Sequence, residues 1–399
     1  MSKNFCTLSE LAADKKNAIV DGPFGSNLKT SDYVDSGVPV LQGKNITGNT
    51  FSFSDIRFIK PEKAEELIRS SVRIGDILMI KIGSIGYAAI IDDLGENEYA
   101  IIPANLAKIT PDHDKVISKY LLYCLTSQDT VRYLNKVASK TAQPALSLQK
   151  IKSIKIPLPP LETQKKIAEI LDAADTLRQK TKTLIEKYDQ LTQSLFLAMF
   201  GDPVVNNKKL PTIKLGELGK WQSGGTPSRQ KPDYFNGDIP WLSSGELNTM
   251  FSADSKEHIS SFAINESSAK IIAPGSLLLG MYDTAALKST INQVPLSCNQ
   301  AIAYCKIDKE IANTIYIYCI IQIGREHYRR LQRGVRQKNL NLSMISNIEI
   351  LFPPISLQNQ FAKRVQAIEE QKVKAQESLE KSEELFQSLL QRAFNGKLV

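Results

Sequence analysis

Two long stretches of the chain place apolar residues at alternating steps of three and four. From Leu161 to Met199 there is no glycine or proline, and a second such pattern begins near Phe361. Heptad-like spacing of this kind predicts amphipathic helices, and about 39 helical residues would span about 58 Å. Each pattern stops just before a glycine, Gly201 or Gly396, which is a common helix end. The chain therefore contains two predicted long helices. Their apolar steps include Ile167, Ile170, Ala174, Leu177, Leu184, Leu191 and Leu195 in the first, and Val365, Ile368, Ala375, Leu379, Phe386 and Leu389 in the second.

The segments before the two helical patterns have a different character, with short β-type runs set between glycine- and proline-rich turns. Each of these segments also contains a stretch with helical spacing. This mixture predicts an α+β fold with small sheets. The predicted strands are Val38–Leu41, Ile77–Ile82, Tyr87–Ile91, Ile271–Gly280 and Ala301–Ile307, and the predicted shorter helices are Lys119–Val137 and Ile311–Gln332.

The helical patterns belong to a repeat that covers the whole chain. Ile151–Asp202 and Ile345–Gly396 align without gaps at an offset of 194 residues, and each contains a β-type run followed by a Pro-Pro pair. The segments before them correspond more loosely. A repeat of this kind predicts an internal pseudo-twofold arrangement with the order A–B–A′–B′. The four predicted segments are 1–150, 151–202, 203–345 and 346–399. Identical pairs in B include Pro159/Pro353, Pro160/Pro354, Gln164/Gln358, Leu191/Leu385 and Phe200/Phe394.

Composition places this repeat in an ordinary globular protein with a mild basic excess. The 399 residues are 23% charged and 42% hydrophobic, and the net charge is +8. Both long helices are neutral, residues 1–150 carry +1, and residues 203–345 carry +6. The excess charge therefore lies mainly in the second A segment, and it fits a polyanionic partner without establishing one.

A cluster of basic residues explains much of that charge and has two interpretations. Dense like charges repel unless they line an anion. The cluster is therefore either an exposed helix end without a ligand or a phosphate-contacting surface whose arginines could also bind guanine edges. Its members are Arg325, Arg329, Arg330, Arg333, Arg336 and Lys338.

A second candidate surface is the loop from Lys81 to Tyr87, which contains two glycines between apolar runs. Glycine permits close approach of the backbone to a ligand. A tight hairpin would require the same glycines, so both interpretations stay open. The helices are similarly open to two interpretations, simple pairing with each other or a rigid spacer that also docks partner proteins.

Motifs for several chemistries are missing from the sequence. There is no phosphate-binding loop of the GxxxxGK[ST] type, no GxSxG, and no paired histidine spacing that would hold a metal. The five cysteines form no CxxC pair and no secretory leader is recognisable, which predicts a reduced, cytoplasmic protein. The most apolar stretch, Ile315–Ile323, is far shorter than the ~20 residues that span a bilayer. These features favour a non-catalytic binding protein.

The A–B–A′–B′ order, the sequence IPLPPLETQKKIAEILDAAD in the first B segment and the terminal FNGKLV resemble the DNA specificity (S) subunits of type I restriction–modification systems. The resemblance covers essentially the whole chain. It implies two target recognition domains, 1–150 and 203–345, separated by two long helices that pair as an antiparallel coiled coil. It also implies that each domain reads one half of a bipartite, asymmetric DNA site.

The resemblance further implies partners and cofactors. The chain would bind double-stranded DNA, two methyltransferase subunits and the motor-nuclease restriction subunits. S-adenosylmethionine, ATP and magnesium would belong to those partners, and this chain would have no cofactor or catalytic residue of its own. The DNA-contacting candidates are Lys81, Ser84, Lys140 and Gln143 in the first domain, and Tyr282, Arg333, Arg336, Gln337 and Lys338 in the second.

Other functions remain as alternatives. The chain could be a specificity subunit of a related methyltransferase-only or fused restriction system. It could also be a structural coiled-coil adaptor without a DNA role. A fused or cryptic nuclease or methyltransferase is the third alternative, and the missing catalytic motifs argue against it.

Overall fold

The computed structural model describes residues 5–23, 27–332 and 339–398. The chain folds into two compact units. Unit 1 contains Met1–Lys180 and Leu379–Val399, and unit 2 contains Thr181–Ser378. Each unit therefore combines one of the A segments with the beginning of one long helix and the end of the other, a grouping that differs from the four consecutive segments predicted from the sequence.

Unit 1 contains an antiparallel sheet of four strands, a mixed sheet of five strands and several short helices. Its helices among the described residues are α1 (Pro61–Glu66), α2 (Ser118–Thr126), α3 (Gln128–Val137), α4 (Leu148–Lys152) and the first half of α5 (Leu161–Phe200). Its strands are β1 (Phe5–Thr7), β2 (Ile19–Asp21), β3 (Tyr33–Val34), β4 (Val38–Val40), β5 (Ile46–Thr47), β6 (Thr50–Phe51), β7 (Arg57–Ile59), β8 (Ser71–Val72), β9 (Ile77–Ile80), β10 (Ala88–Ile90), β11 (Ala100–Ile101), β12 (Leu106–Ile109) and β13 (Lys155–Pro157).

The central sheet of unit 1 has the order β10-β9-β12-β2, and a second sheet has the order β3-β7-β4-β11-β8. Strand β9 reads Ile-Leu-Met-Ile and is buried along its whole length, because one of its faces packs on α2 and the other on the second sheet. The core on the helix side joins the central sheet to both long helices. Its members include Leu8, Tyr120, Ile167, Leu171, Phe386 and Leu390.

Unit 2 repeats this plan with different side chains. Its helices are α6 (Ser261–Glu266), α7 (Thr314–Ile323), α8 (Arg325–Tyr328), α9 (Leu342–Ser346) and the first part of α10 (Ile355–Phe394), together with the second half of α5. Its strands are β14 (Thr212–Lys214), β15 (Gln222–Ser223), β16 (Ile239–Leu242), β17 (Phe251–Ser252), β18 (His258–Ile259), β19 (Leu277–Gly280), β20 (Ser289–Asn292), β21 (Ser297–Cys298), β22 (Ile302–Cys305) and β23 (Glu349–Leu351).

The main sheet of unit 2 has the order β15-β22-β19-β20-β17, so β19 takes the central place that β9 has in unit 1. The core behind it is rich in aromatic rings. Phe196, Phe200, Tyr316 and Phe361 lie with ring centroids 5.0 to 6.2 Å apart. Aromatic pairs in tilted or edge-to-face geometry add about 0.5–1.5 kcal/mol each beyond burial of their area, so this cluster fastens both long helices to α7.

The internal repeat is confirmed by matching hydrogen bonds. In unit 1, β1 pairs antiparallel with β13, and the Leu8 N–H donates to the Ile154 carbonyl at 2.8 Å. In unit 2, β14 pairs in the same way with β23, and the Leu215 N–H donates to the Ile348 carbonyl at 3.0 Å. Each Pro-Pro pair thus follows a strand that returns to the start of its own A segment.

The two long helices are confirmed. In unit 1 the first half of α5 contacts the last part of α10, and in unit 2 the end of α5 contacts the start of α10. In unit 1, the guanidinium of Arg178, in α5, lies 4.5 Å from the ring of Phe386, in α10. In unit 2, Phe196 near the end of α5 packs on Phe361 near the start of α10. The helices therefore run antiparallel within each unit. Gly201 and Gly396 follow them in the left-handed conformation, with φ of 79° and 68°, as the sequence predicts.

The buried face of α5 differs from the heptad stripe read from the sequence. Ile170, Leu177, Leu184 and Leu191 are 38 to 52% exposed. The buried apolar positions are instead grouped near the two ends of the helix, because those ends pack on the domain cores as well as on α10. They are Ile167, Ala168, Leu171, Phe196 and Phe200.

Two predicted shorter helices are each interrupted. The stretch Lys119–Val137 breaks at Ser127, whose extended backbone ends α2 and whose hydroxyl caps α3 by accepting from the Thr130 N–H. The stretch Ile311–Gln332 breaks at Gly324, where a side chain would collide with the ring of Tyr328. Of the predicted strand Ile271–Gly280, only Leu277–Gly280 forms, because Pro274 and Gly275 make a turn.

Candidate nucleic-acid interface

Two loops lie side by side at one edge of the central sheet of unit 1. The hairpin loop between β9 and β10 runs from Lys81 to Tyr87, and a second loop, residues 139–146, precedes α4. The Gly83 N–H donates to the Pro144 carbonyl at 3.1 Å, and the Leu146 N–H donates to the Lys81 carbonyl at 2.8 Å. The structure thus brings together the four residues that the sequence singles out in this domain, Lys81, Ser84, Lys140 and Gln143.

The glycines of this hairpin were predicted either to allow close approach of a ligand or to form a tight turn, and the geometry can be compared with both. Gly83 and Gly86 have positive φ, as a tight connection between β9 and β10 requires. A Cβ atom on Gly86 would lie 2.9 Å from Val131 Cγ1, so this glycine permits close packing of the hairpin on α3. Gly83 has no neighbour within 4 Å of a built Cβ, and its backbone is open at the surface. The hairpin accounts for Gly86, and only Gly83 is open to a ligand.

Three of the four candidates in unit 1 are exposed. Ser84, Lys140 and Gln143 have exposed side chains. The loop that carries Lys140 is ordered by its own hydroxyls, because Thr141 Oγ1 donates to the Gln143 carbonyl at 2.7 Å and Ser139 Oγ accepts from the Ala145 N–H at 2.9 Å. An ordered loop that presents an ammonium and an amide costs little conformational entropy when a ligand binds.

Lys81 is placed differently, because its side chain is only 8% exposed. Its ammonium donates to the carboxylate of Asp21 at 2.5 Å, and Asp21 is 16% exposed. Arg69 reaches the same carboxylate at 3.5 Å and keeps 64% of its side chain in solvent. Lys81 thus positions Asp21 and Arg69 rather than offering a free charge. Sequence reasoning missed Asp21 and Arg69, since nothing in the local sequence links three residues that are so far apart.

The corresponding edge of unit 2 has the same backbone arrangement. The Leu340 N–H donates to the Met281 carbonyl at 2.8 Å, and Tyr282 forms a β-bridge with Asn339. Met281 therefore matches Lys81, and Tyr282 matches Ile82. Tyr282 is 39% exposed and lies over a cleft lined by Ser223, Gln300 and Ser343. The candidates Arg333, Arg336, Gln337 and Lys338 lie outside the described residues.

The arginines of the basic cluster that the structure describes are of two kinds, those that bind other groups of the chain and one that is exposed. Arg325 donates to the carbonyls of Ala286 and Thr284, at 2.9 and 2.6 Å, and so fastens the β19–β20 loop. Burial lowers the pKa of this guanidinium below its ordinary value. Arg329 pairs with Glu326 at 3.0 Å, whereas Arg330 is exposed. Part of the cluster therefore shapes the loop that carries Tyr282, and Arg330 remains available to an anion.

No metal-ligand cluster accompanies these loops in the described part of the chain. Across residues 5–23, 27–332 and 339–398, no group of three His, Cys, Asp or Glu side chains is arranged to hold a metal ion. Over the same ranges, none of the helices combines the length and apolarity needed to cross a bilayer. The sheet edges of unit 1 and unit 2 present hydrogen-bond donors and acceptors on the segments that follow β9 and β19.

Comparison with known proteins identifies this arrangement. The model of the type I restriction modification DNA specificity domain matches the chain twice, over residues 27–187 and 207–383. The type I restriction enzyme MjaIX specificity subunit of Methanocaldococcus jannaschii is 23% identical over 399 residues, covering 95% of this chain and 91% of that protein. The HindI specificity subunit of Haemophilus influenzae is 22% identical over 433 residues, covering 89% of this chain and 93% of that protein.

Solved structures share the fold. The crystal structure of the S subunit of a type I restriction–modification system from M. genitalium aligns with a TM-score of 0.59 at 14% identity, covering 98% of this chain and 96% of that one. A chain from a study of complex assembly of the type I system aligns with a TM-score of 0.50, also at 14% identity, covering 100% and 99%. Since the family model matches both halves of the repeat, the chain belongs to the family of type I restriction–modification DNA specificity proteins.

Proposed function

We propose that this chain is the sequence-specific DNA-binding subunit of a type I restriction–modification complex and that each unit reads one half of a bipartite site. One observation carries the proposal. In both units the residues that follow the matching strand, β9 or β19, are hydrogen-bonded to the segment just before α4 or α9, yet the side chains at these positions, such as Lys81 and Met281, are unlike. A backbone frame shared by the two units, with unlike side chains on it, suits recognition of two different sequences.

The side chains in unit 1 have the chemistry that DNA contact requires. The ammonium of Lys140 suits a phosphate, and the amide of Gln143 carries the donor and acceptor that pair with an adenine edge in the major groove. Arg69, held at one end by Asp21, presents planar donors that suit a phosphate or a guanine edge.

The two half-sites should differ because the two edges differ in charge. The ion pair of Lys81 and Asp21 in unit 1 is replaced in unit 2 by Met281 and Ser223, at matching strand positions. Ile82 in unit 1 is replaced by the half-exposed ring of Tyr282. An asymmetric bipartite site follows from this difference.

We further propose that the long helices dock the other subunits of the complex, two methyltransferase subunits and the restriction subunits. The relatives named above are specificity subunits of type I restriction enzymes, which supports this assignment. S-adenosylmethionine, ATP and magnesium would then be bound by those partners, and this chain would supply recognition without catalysis.

Mapping of DNA methylation tests the proposal. Co-expression of the chain with its methyltransferase partner should methylate one asymmetric, bipartite sequence throughout a host genome. If no bipartite motif is methylated while both proteins are produced and bound to each other, the proposal is wrong. Replacing residues 1–150 by the corresponding segment of another family member should change one half of the motif and leave the other intact.

A second experiment separates DNA recognition from a purely structural role. The double variant Arg333→Ala, Arg336→Ala should bind the cognate duplex more weakly and with a shallower dependence on salt. Equal affinity of this variant and the wild type, at every salt concentration, would favour a structural adaptor.

A further inference from the structure

Several segments of unit 2 meet at one end of its main sheet. Strands β19 and β22 pair antiparallel with Gly280 opposite Ile302, so the residues that follow β19 and those that precede β22 lie at the same end. The Gly224 N–H, just after β15, donates to the Ile302 carbonyl at 3.0 Å, and the segment just before α9 is hydrogen-bonded there too. This end of the sheet carries Tyr282, and the proposed function places DNA against it.

Gln300 lies at this end of the sheet, and sequence reasoning did not single it out. It precedes β22 by two residues, its side chain is exposed, and it lines the same cleft as Tyr282. The turn that carries it is ordered, because the Asn299 N–H donates to the Leu242 carbonyl at 3.0 Å. Asn299 Oδ1 also accepts from the Ala301 N–H at 3.1 Å. Gln300 is thus an exposed amide on an ordered turn.

A hydroxyl fixes the orientation of the Gln300 amide. Thr226 Oγ1 donates to Gln300 Oε1, which holds Nε2 on the side of the amide that faces away from Thr226. Within the part of the chain that the structure describes, Nε2 donates to no partner. The two N–H bonds of this nitrogen are therefore available to a ligand.

The segment that carries Thr226 is held in place by its backbone. The Gly225 N–H donates to the Cys298 carbonyl at 2.9 Å, and the buried indole of Trp241 donates to the Gly225 carbonyl at 3.0 Å. A Cβ atom on Gly225 would lie 2.2 Å from a backbone carbonyl oxygen, so only glycine permits this packing. Because Thr226 and Gln300 both stand on ordered segments, little conformational entropy is lost when the amide binds a ligand.

Apolar groups stand beside the amide in the same cleft. Tyr282 presents a ring that is 39% exposed, and Leu342 is half-buried. The side chains of Met281 and Leu340 are buried and complete the apolar part of the wall. The cleft thus combines an oriented hydrogen-bond donor with an apolar surface.

This combination matches one base edge in the major groove. Thymine presents its O4 acceptor beside its C5-methyl group, whereas guanine has two acceptors without a methyl group and cytosine has a donor. Adenine pairs with glutamine through both Oε1 and Nε2, and Thr226 already donates to Oε1. The hydroxyls of Ser223 and Ser343, which also line the cleft, can donate or accept and so do not select a base.

Unit 1 lacks the amide. In both units the first residue after the central strand, β9 or β19, donates its N–H at 2.9 Å to the residue just before the neighbouring strand, β12 or β22. The acceptors are the carbonyls of Asn105 and Ala301. Gln300 therefore corresponds to Ala104, whose methyl group cannot donate a hydrogen bond. A contact made by Gln300 belongs to one half-site only.

We propose that Gln300 is a specificity-determining residue for the half-site read by unit 2, that it reads thymine through Nε2, and that Thr226 is its positioning residue. The inference rests on the proposed function and adds the base that unit 2 selects. The half-site in question is the one that stays intact when residues 1–150 are exchanged.

Mapping of DNA methylation by the full-length chain with its methyltransferase partner tests the inference. The wild type should methylate a motif with a fixed T·A pair in this half-site, and Gln300→Ala should relax that position alone. Gln300→Glu turns the donor into an acceptor and should prefer cytosine there, because a carboxylate accepts from cytosine N4. Gln293→Ala is the control, since this exposed glutamine follows β20 at the opposite end of the same sheet, and the motif should not change.

Binding of the same complex to modified duplexes measures the two contacts separately. Uracil in place of the thymine removes the methyl group and should weaken binding about fourfold, in the wild type and in Gln300→Ala alike. 5-Methylcytosine keeps the methyl group and replaces the O4 acceptor by a donor. It should weaken binding of the wild type about fivefold or more, and that of Gln300→Ala much less.

Thr226→Val keeps the shape of the side chain and removes the hydroxyl that orients the amide. It should lower the preference for thymine over 5-methylcytosine while the melting temperature stays unchanged, a split that a purely structural role would not give. This variant also tests the contact from its other side if Gln300→Ala does not fold.

The outcomes separate this inference from the proposed function. An unchanged motif with Gln300→Ala, a relaxed G·C pair, or a relaxed T·A pair that is insensitive to the methyl group overturns the inference and leaves the proposed function standing. Absence of any bipartite motif with the wild type refutes the proposed function, and the role of Gln300 falls with it.

Discussion

The buried amide of Gln164 joins the first long helix to the start of α2 in unit 1 through the backbone of Ile117. Its oxygen accepts from the Ile117 N–H at 2.9 Å, and its nitrogen donates to the carbonyls of Lys115 and Pro159. Gln358 repeats the arrangement in unit 2 with Asn313 and Pro353. Both glutamines are fully buried, and these hydrogen bonds explain why both copies of the repeat carry glutamine at this position.

Replacing Gln164 by leucine should therefore destabilise unit 1. The backbone groups of Ile117 and Lys115 would be left without a partner, and such a loss costs about 1–3 kcal/mol. The urea midpoint should fall, and hydrogen exchange should accelerate at Ile117 while the amide of Asn313 in unit 2 stays protected. The exposed Gln149→Leu serves as the control, and equal midpoints for both variants would show that the amide contributes nothing.

The ion pair of Lys81 and Asp21 gives a second prediction. Lys81→Met leaves the Asp21 carboxylate, which is 16% exposed, with Arg69 at 3.5 Å as its remaining ion-pair partner. Breaking a buried pair from one side costs about 3–5 kcal/mol, and we expect the lower end of this range because Arg69 compensates in part.

The double variant Asp21→Ser, Lys81→Met copies the pair found in unit 2 and should recover most of the lost stability. Denaturant titrations of the two single variants and the double variant form a complete cycle. Additive losses across that cycle would mean that the two side chains do not interact.

Glu369 predicts a dependence of stability on pH. Burial raises the pKa of this carboxyl above its ordinary value of 4.5; Lys372 opposes the shift, and Asp189 adds to it. A group with a higher pKa in the folded chain binds more protons when folded, so its contribution to stability falls as the pH rises from the unfolded pKa through the folded one.

Glu369→Gln should thus match the wild type near pH 3, well below the ordinary pKa of 4.5, where the carboxyl is protonated in both states, and exceed its stability at pH 8. Urea midpoints at the two pH values measure the difference, and the exposed Glu370→Gln is the control. A stabilisation by Glu369→Gln that is the same at both pH values would contradict the prediction.

The exposed loop of unit 1 gives a prediction about DNA affinity, which rests on the proposed function. Lys140→Ala should weaken binding to cognate and unrelated duplexes alike and reduce the slope of log affinity against log salt by about 0.9, the loss of one phosphate contact. Gln143→Ala should weaken binding to the cognate duplex more than to others.

Fluorescence anisotropy with the methyltransferase-bound chain over a range of salt concentrations measures both effects. Lys16→Ala removes an exposed lysine that lies outside the two loops, and it should leave the slope unchanged. An unaltered slope for Lys140→Ala would place this lysine away from the phosphates.

The sequence by itself determined the repeat, the two long helices and the family, because periodicity and the identities of the B segments are local or collinear properties. It also indicated two loops. The loop Lys81–Tyr87 is marked by its glycines, and the loop near Gln143 is marked by its position in the repeat. The interrupted helices were less predictable, since Ser127 and Gly324 both lie within stretches of continuous helical spacing, and the close contact of Gly324 with the ring of Tyr328 is set by packing.

Only the tertiary structure decided what the candidate residues do. Lys81 reads as a free cation in the sequence, and it is buried because β2 places Asp21 beside it, 60 residues away in the chain. The exposure of Leu177 and Leu191 likewise depends on which face of α5 the domain cores cover. Partners that meet through folding leave no pattern along the chain, so burial, pairing and cavities follow from packing alone.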